Sequence, residues 1–426
     1  MKVSIWKRLQ TPCGALLALL LVTAVHANGN ETANRWVATW SAAPIAPGPT
    51  TIDAIFGGDH SRSFENQTIR HIVHTSVGGK RVRVRLSNAF GFMPLRIGAA
   101  QVALRRADAA ILPSTGRRLT FGGQAGIVIP AGAVVVSDSV ELAVPAAVDL
   151  AVSIYLPGQT EPATFHEVTM RTSYVTGAGN FVAAADLPGA PTTTSTFYLT
   201  VVEVLPNDSI GVVVALGDSL TQGAGSTLDA NQTWPDLLSQ RLNPPWQRPR
   251  LAVVNQGIGC GRLLFDFCGP SGSARFDRDA LTVTGATHVI VHLGLNDITI
   301  PSILPIFGKP EFAAEAASGA DIIAGLQQLI LRARAQELRI FGATITPNGS
   351  STVPGAFTPE NEAKRQAVNR WIRTSGAFDG VIDFDAAVRD PANPTRLLPA
   401  YDFDGSHVND AGYQAMANAI NLSIFF

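Results

Sequence analysis

Gly211 to Leu216 reads Gly-Val-Val-Val-Ala-Leu, an unbroken apolar run that suits a strand buried on both faces. A strand of that kind needs a covering layer on each side. The next stretch of chain supplies both layers: a glycine-containing turn, a helical pattern over 234–242, then strands predicted over 251–254, 288–293, 339–345 and 381–384, with helices over 320–336, 360–375 and 409–420. Strands alternating with helices predict an α/β domain, a parallel sheet covered by helices on both faces.

The preceding half obeys a different rule. Val82-Arg83-Val84-Arg85-Leu86 alternates apolar and basic side chains, the period of a half-buried strand with its arginines toward solvent. Similar runs fall at 68–74, 101–104, 127–129, 134–136, 150–156 and 197–204, separated by turn formers such as Gly78-Gly79, Gly122-Gly123 and Pro157-Gly158. That spacing predicts an antiparallel β-sandwich over residues 35–205, ahead of the α/β domain over 210–426. The boundary falls at Pro206-Asn207-Asp208-Ser209, and 426 residues exceed what one hydrophobic core usually serves.

The first 27 residues read as an export signal. Lys2, Lys7 and Arg8 precede an apolar stretch from Gly14 to Val25, and Val25-His26-Ala27 offers small residues for cleavage after Ala27. The apolar stretch is shorter than the roughly 20 residues of a membrane span, so no stable span is expected once the signal is removed. The expected location is secreted or periplasmic. Of three cysteines, Cys13 lies in the signal, and an oxidising compartment predicts a disulfide between Cys260 and Cys268. Lys plus Arg numbers 32 against 33 for Asp plus Glu, so no net field attracts nucleic acid.

Three short motifs fall at strand ends, where an open parallel sheet gathers ligands. Gly217-Asp218-Ser219-Leu220 comes directly after the first buried strand, Gly294-Leu295-Asn296-Asp297 after the third, and Asp404-Gly405-Ser406-His407 precedes the last helix. A serine hydroxyl becomes nucleophilic only when a neighbouring base takes its proton. His407 is the candidate base for Ser219, and Asp404, three residues earlier, the group that holds the imidazole tautomer. Donors for an oxyanion come from the Ser219 N–H, the Asn296 amide and the 257–261 loop.

These blocks, with Asn255-Gln256-Gly257-Ile258-Gly259-Cys260-Gly261, resemble those of the SGNH/GDSL hydrolase family over about residues 212–424. The resemblance implies a flavodoxin-like three-layer fold, ester hydrolysis without cofactor or metal, and Ser219, Cys260 and Asn296 as oxyanion donors. The family usually has glycine where this chain has Cys260, which restricts the backbone there. A Cys260–Cys268 bridge would brace that loop. The implied substrates are carboxylic esters, acetylated carbohydrate and short-chain or aryl esters first among them, and a transferase moving acyl groups between sugars is a related possibility. By analogy, a β-sandwich before a hydrolase domain binds polysaccharide or walls the cleft.

Other features read more plainly. Asp297 is expected to brace its loop. His288 and His292 are expected to pack in or beside the sheet without a third metal ligand. Trp36 and Trp40 read as packing residues and not as sugar platforms, and His71 and His74 fall on opposite strand faces. Alone, Ser219 also fits a helix N-cap, and the 217–225 glycines a phosphate cradle, although the P-loop lysine is absent. The competing reading from another class is a noncatalytic glycan-binding or surface protein that keeps an inactive hydrolase domain, for which the Cys260 substitution is the support.

Overall fold

The computed structural model describes residues 35–48 and 61–426. The export signal expected over residues 1–27 lies outside the described residues. Two antiparallel sheets build the first half. One runs, in spatial order, Val37–Ser41, Leu199–Leu205, Gly79–Ser87 and Val140–Val144, with Val134–Val136 also paired to Gly79–Ser87. The other runs Thr192–Thr193, Ser173–Ala178, Gln67–His74, Asp149–Leu156, Ala99–Ala107 and Ala110–Ile111. Val82, Val84 and Leu86 point into one apolar core with Ile69, Val73, Val102 and Val152, as the alternating pattern requires.

Two expectations change in detail. Arg83 and Arg85 do not simply face water: Glu203, fully buried on the neighbouring strand, accepts Arg83 Nε at 2.5 Å and Arg85 Nη2 at 3.0 Å. Cross-strand pairing sets Arg83 opposite Glu203, and Thr284 of the second half closes the cluster with 2.7 Å to Glu203 and 2.9 Å to Arg85. The run at 197–204 is not one strand either. Tyr198 takes φ 61°, which breaks it into Thr196–Phe197 and Leu199–Leu205 and lets Phe197 pack on Phe64 and Phe165.

The second half is a five-stranded parallel sheet. In space its strands run Leu251–Gly257, Gly211–Gly217, Ala286–His292, Arg339–Ala343 and Val381–Ile382. Val212, Val214 and Leu216 face one core with helices Gly319–Ala335 and Pro359–Thr374, while Val213 and Ala215 face another with helices Trp234–Leu242 and Asp410–Ala419. The last strand is shorter than expected because Asp383 caps a new helix, Phe384–Val388, by accepting the Ala386 N–H at 3.1 Å. The helix Leu295–Ile303, which carries Asn296, has Pro301 inside it and no regular apolar stripe, so its residue pattern does not predict a helix.

Leu251–Gly257 is an edge strand, and an uncovered edge offers unpaired backbone groups to other chains. Here the first half covers it: the Val253 N–H donates to Ser76 Oγ at 2.8 Å, and Ser41 Oγ donates to the Asn255 carbonyl at 3.2 Å. The core around Val37 and Val202 continues to Val212, Val254 and Val289, across the 206–209 connection. Among the described residues no helix is long and apolar enough to cross a membrane.

The Glu203 cluster ties the two halves with charge-assisted bonds. Glu203→Gln should lower unfolding free energy by about 1.5–3 kcal/mol, the usual worth of such bonds. Urea unfolding measures it, and an unchanged midpoint would show the cluster to be energetically neutral.

Candidate active site

The turn after the first parallel strand is built by local necessity. A side chain at Gly217 would meet Thr221 Oγ1 at 1.9 Å, so only glycine lets the strand fold this tightly into the Ser219–Gln222 helix. Asp218, and not Ser219, caps that helix, accepting the Leu220 N–H at 3.1 Å. Burial pushes the Asp218 carboxyl up to about 7, against the Leu220 N–H and the neighbouring His407. Ser219 is thereby free of capping duty.

His407 reaches that hydroxyl from the far end of the chain. Its Nε2 lies 2.8 Å from Ser219 Oγ, and its Nδ1 lies 2.8 Å from Asp404 Oδ2. The other oxygen of Asp404 accepts the backbone N–H of His407 at 2.8 Å and of Ser406 at 3.0 Å. Gly405, at φ +88°, allows the hairpin: a Cβ there would stand 2.4 Å from the Ser350 backbone. Partial burial works against a charge on Asp404, yet the bond from His407 and the two N–H donors outweigh it and hold its carboxyl at about 2.

Beside Ser219 stands the 257–261 loop. The Ile258 N–H donates to Gly217 O at 3.1 Å, Gly261 N–H to Ile258 O at 3.0 Å, and Asn296 Nδ2 to Gly261 O at 3.0 Å. Asn296 therefore spends one amide hydrogen on the loop and keeps the other. Cys260 takes φ +51°, the region that favours glycine, and its sulfur is bonded to Cys268 with Cα atoms 5.7 Å apart. Asp297 accepts Leu263 N–H at 2.6 Å and Leu264 N–H at 2.9 Å, holding the chain that leaves the loop.

Several groups at the site had no sequence signal. Buried Arg275 donates to Gly217 O at 2.8 Å and Gln256 O at 2.7 Å, tying together the ends of the first two strands. The first half contributes one segment: His166 Nε2 lies 3.4 Å from Gln222 Nε2, and Glu167 Oε2 lies 3.3 Å from where a Gly259 Cβ would stand. Nothing in the local pattern of His166-Glu167-Val168 marks it, because its role arises only from docking on the Ser219 helix. His288 and His292 are buried in the sheet, where desolvation lowers both to about 4. Among the described residues no group of three His, Cys, Asp or Glu is placed to hold a metal ion.

The Ser219 hydroxyl, the His407 imidazole and the Asp404 carboxylate thus form one hydrogen-bonded chain at the carboxyl edge of a parallel sheet, where open α/β sheets gather ligands. Residues 215–415 match the family model described as GDSL-like Lipase/Acylhydrolase, and the chain carries a domain of that family. Similar solved structures include a GDSL-like lipase from Bacteroides thetaiotaomicron (17% identity, 50% of this chain and 87% of that one, TM-score 0.37). The M. smegmatis aryl esterase matches at 16% identity over 49% of this chain and 95% of its own, with TM-score 0.38. Est24, a carbohydrate acetylesterase from Sinorhizobium meliloti, matches at 14% identity over 51% and 100%, with TM-score 0.39. No curated protein matches the chain.

The depressed Asp404 carboxyl has a direct consequence. It should remain ionised at pH 4, where an ordinary aspartate, with a pKa of about 3.9, is half protonated. Carboxyl-carbon NMR reads this, and a midpoint near the ordinary value would mean that the His407 bond is absent in solution.

Proposed function

We propose that the chain is an exported serine esterase acting on carboxylic esters. The observation that carries this reading is the 2.8 Å approach of His407 Nε2 to Ser219 Oγ, with Asp404 behind the imidazole at 2.8 Å. Ser219 attacks the ester carbonyl while His407 takes its proton, and the same imidazole returns that proton to the departing alcohol. The oxyanion is held by the N–H groups of Ser219 and Cys260 and by the remaining amide hydrogen of Asn296. Water activated by His407 then releases the acyl group.

The substrate class in this proposal is acetylated carbohydrate or a short-chain or aryl ester. Phe403, four residues before His407, is 62% exposed, and Ile306 and Phe307, beyond the Asn296 helix, are 59% and 53% exposed, which favours an ester with an apolar part. Export is supported by the Cys260–Cys268 bond, which an oxidising compartment sustains. In the same reading the antiparallel half is a β-sandwich domain over 35–205, and residues 210–426 are a flavodoxin-like three-layer domain. The competing reading, an inactive hydrolase domain on a glycan-binding protein, is favoured only by Cys260 at the usual glycine position. A fluorophosphonate probe separates the two, since only an activated serine is labelled.

Ser219→Ala should abolish hydrolysis of p-nitrophenyl acetate and labelling while the far-UV spectrum is kept, and Asn296→Ala should lower kcat by about 10²–10³-fold. Retained turnover in the serine variant would remove the assignment. Holding a nonglycine residue at positive φ costs on the order of 1–3 kcal/mol, and the disulfide helps to hold Cys260 there. Full reduction, verified by thiol counting, should therefore lower kcat without unfolding the chain; unchanged kcat would leave the bond a purely structural link.

A further inference from the structure

A second site lies between the halves, away from Ser219 and His407. A cavity of about 270 Å³ is enclosed by the Val37–Ser41 strand, the 168–171 segment, the end of Gln67–His74 and the Trp234–Leu242 helix. Its lining includes Trp40, His74, Arg171, Asn231, Asp236 and Gln240. Trp40, which the sequence pattern marks as a packing residue, is only half-buried and shows part of its indole to this space.

The hydrogen-bonding capacity left over in the lining is specific. Asp236 Oδ2 is taken by Thr233 Oγ1 at 2.6 Å in a capping box, while its Oδ1 has no partner among the described residues. His74 Nδ1 donates to the Asp149 carboxylate at 2.8 Å, a bond that in the neutral form of the ring leaves Nε2 as an acceptor. The Trp40 N–H makes no hydrogen bond among the described residues and is a matching donor on this face. The guanidinium in the lining, that of Arg171, spends both terminal nitrogens on the protein: Nη1 donates to Asp229 O at 2.9 Å and Asn231 Oδ1 at 3.0 Å, and Nη2 to Asp149, while its Nε–H is buried without a hydrogen-bond partner, 3.8 Å from Asp229 Oδ1.

This balance discriminates among ligands. An anion needs donors, and the cationic donor here is neutralised by Asp149 and Asp229. A cation would meet Arg171 and, through Asp149, Arg105 at 2.8 Å from that carboxylate. A neutral ligand rich in hydroxyls supplies the donors that Asp236 and His74 accept, and an apolar ring face that the indole covers. The volume accommodates one such ring. We propose that this cavity binds a neutral, monosaccharide-sized polyhydroxylated ligand. Gln222, three residues after Ser219, also lines it, so an occupant would touch the helix that carries the serine. The proposal does not rest on ester hydrolysis.

The test uses the full mature chain carrying Ser219→Ala, so that binding is read without turnover and stands or falls apart from the esterase reading. Glucose, galactose, xylose and glycerol are titrated by calorimetry and saturation-transfer NMR, with inorganic phosphate and tetramethylammonium as charged comparators. At least one sugar should bind saturably at one site per chain. Gln240 is exposed, so Gln240→Trp narrows the cavity without removing core contacts and should weaken that binding at least about tenfold, with thermal unfolding unchanged. Trp40→Leu should weaken it similarly. No saturable sugar binding, affinity unaffected by Gln240→Trp, or tighter binding of phosphate or tetramethylammonium would each overturn the proposal.

Discussion

The carbonyl of Gly217 is the point on which the site depends. It accepts the Ile258 N–H at 3.1 Å and Arg275 Nη2 at 2.8 Å, so one oxygen registers the Ser219 turn, the neighbouring loop and a buried cation against each other. Arg275 is buried there with Asp279 3.3 Å from its Nη1 and two strand-end carbonyls accepting from Nη1 and Nη2, while its Nε–H has no partner among the described residues. Without such a clamp, two parallel strands would end as frayed carbonyls beside Ser219. With it, the loop that carries Cys260 and the turn that carries Ser219 are hydrogen-bonded to one another and to the same buried cation.

The antiparallel half contributes more than a separate fold. It closes the exposed edge of the parallel sheet through Ser76 and Ser41, and it buries Glu203 under Thr284 of the other half. It also sends His166 to Gln222 and Glu167 to the face of Gly259. Each contact joins residues far apart in the chain, so each is a cost in ordering that the continuous apolar core across the two halves offsets.

Much of this was legible in the sequence. The unbroken run at Gly211 to Leu216 became a central strand with both faces covered, and the alternation at Val82 to Leu86 became a strand with one face in the core. Helices with a strong start signal fell within one residue of their expected limits: Thr233 and Asp236 cap Trp234–Leu242, and Ser318 and Asp321 cap Gly319–Ala335. The misses share a cause. Leu295–Ile303 is short, holds a proline and scatters Asn296, Asp297, Thr299 and Ser302 among its apolar residues, so it has no helical stripe to read, and the break at Tyr198 is a single backbone angle that goes with the packing of Phe197.

By itself, the sequence determined local geometry and chemical type: which faces are apolar, which residues cap, and that a serine, an asparagine, an aspartate and a histidine stand beside strand ends. Those come from periodicity and from bonds within three or four residues, such as Asp404 to His407. Only the tertiary structure decided what meets across the chain. Ser219 and His407 are 188 residues apart, and their contact exists because both ends of the second half are bound to one parallel sheet. The same is true of Arg275 on Gly217, of Glu203 beneath Thr284 and of the cavity behind Gln222, since no local pattern specifies which distant surface will bury a given side chain.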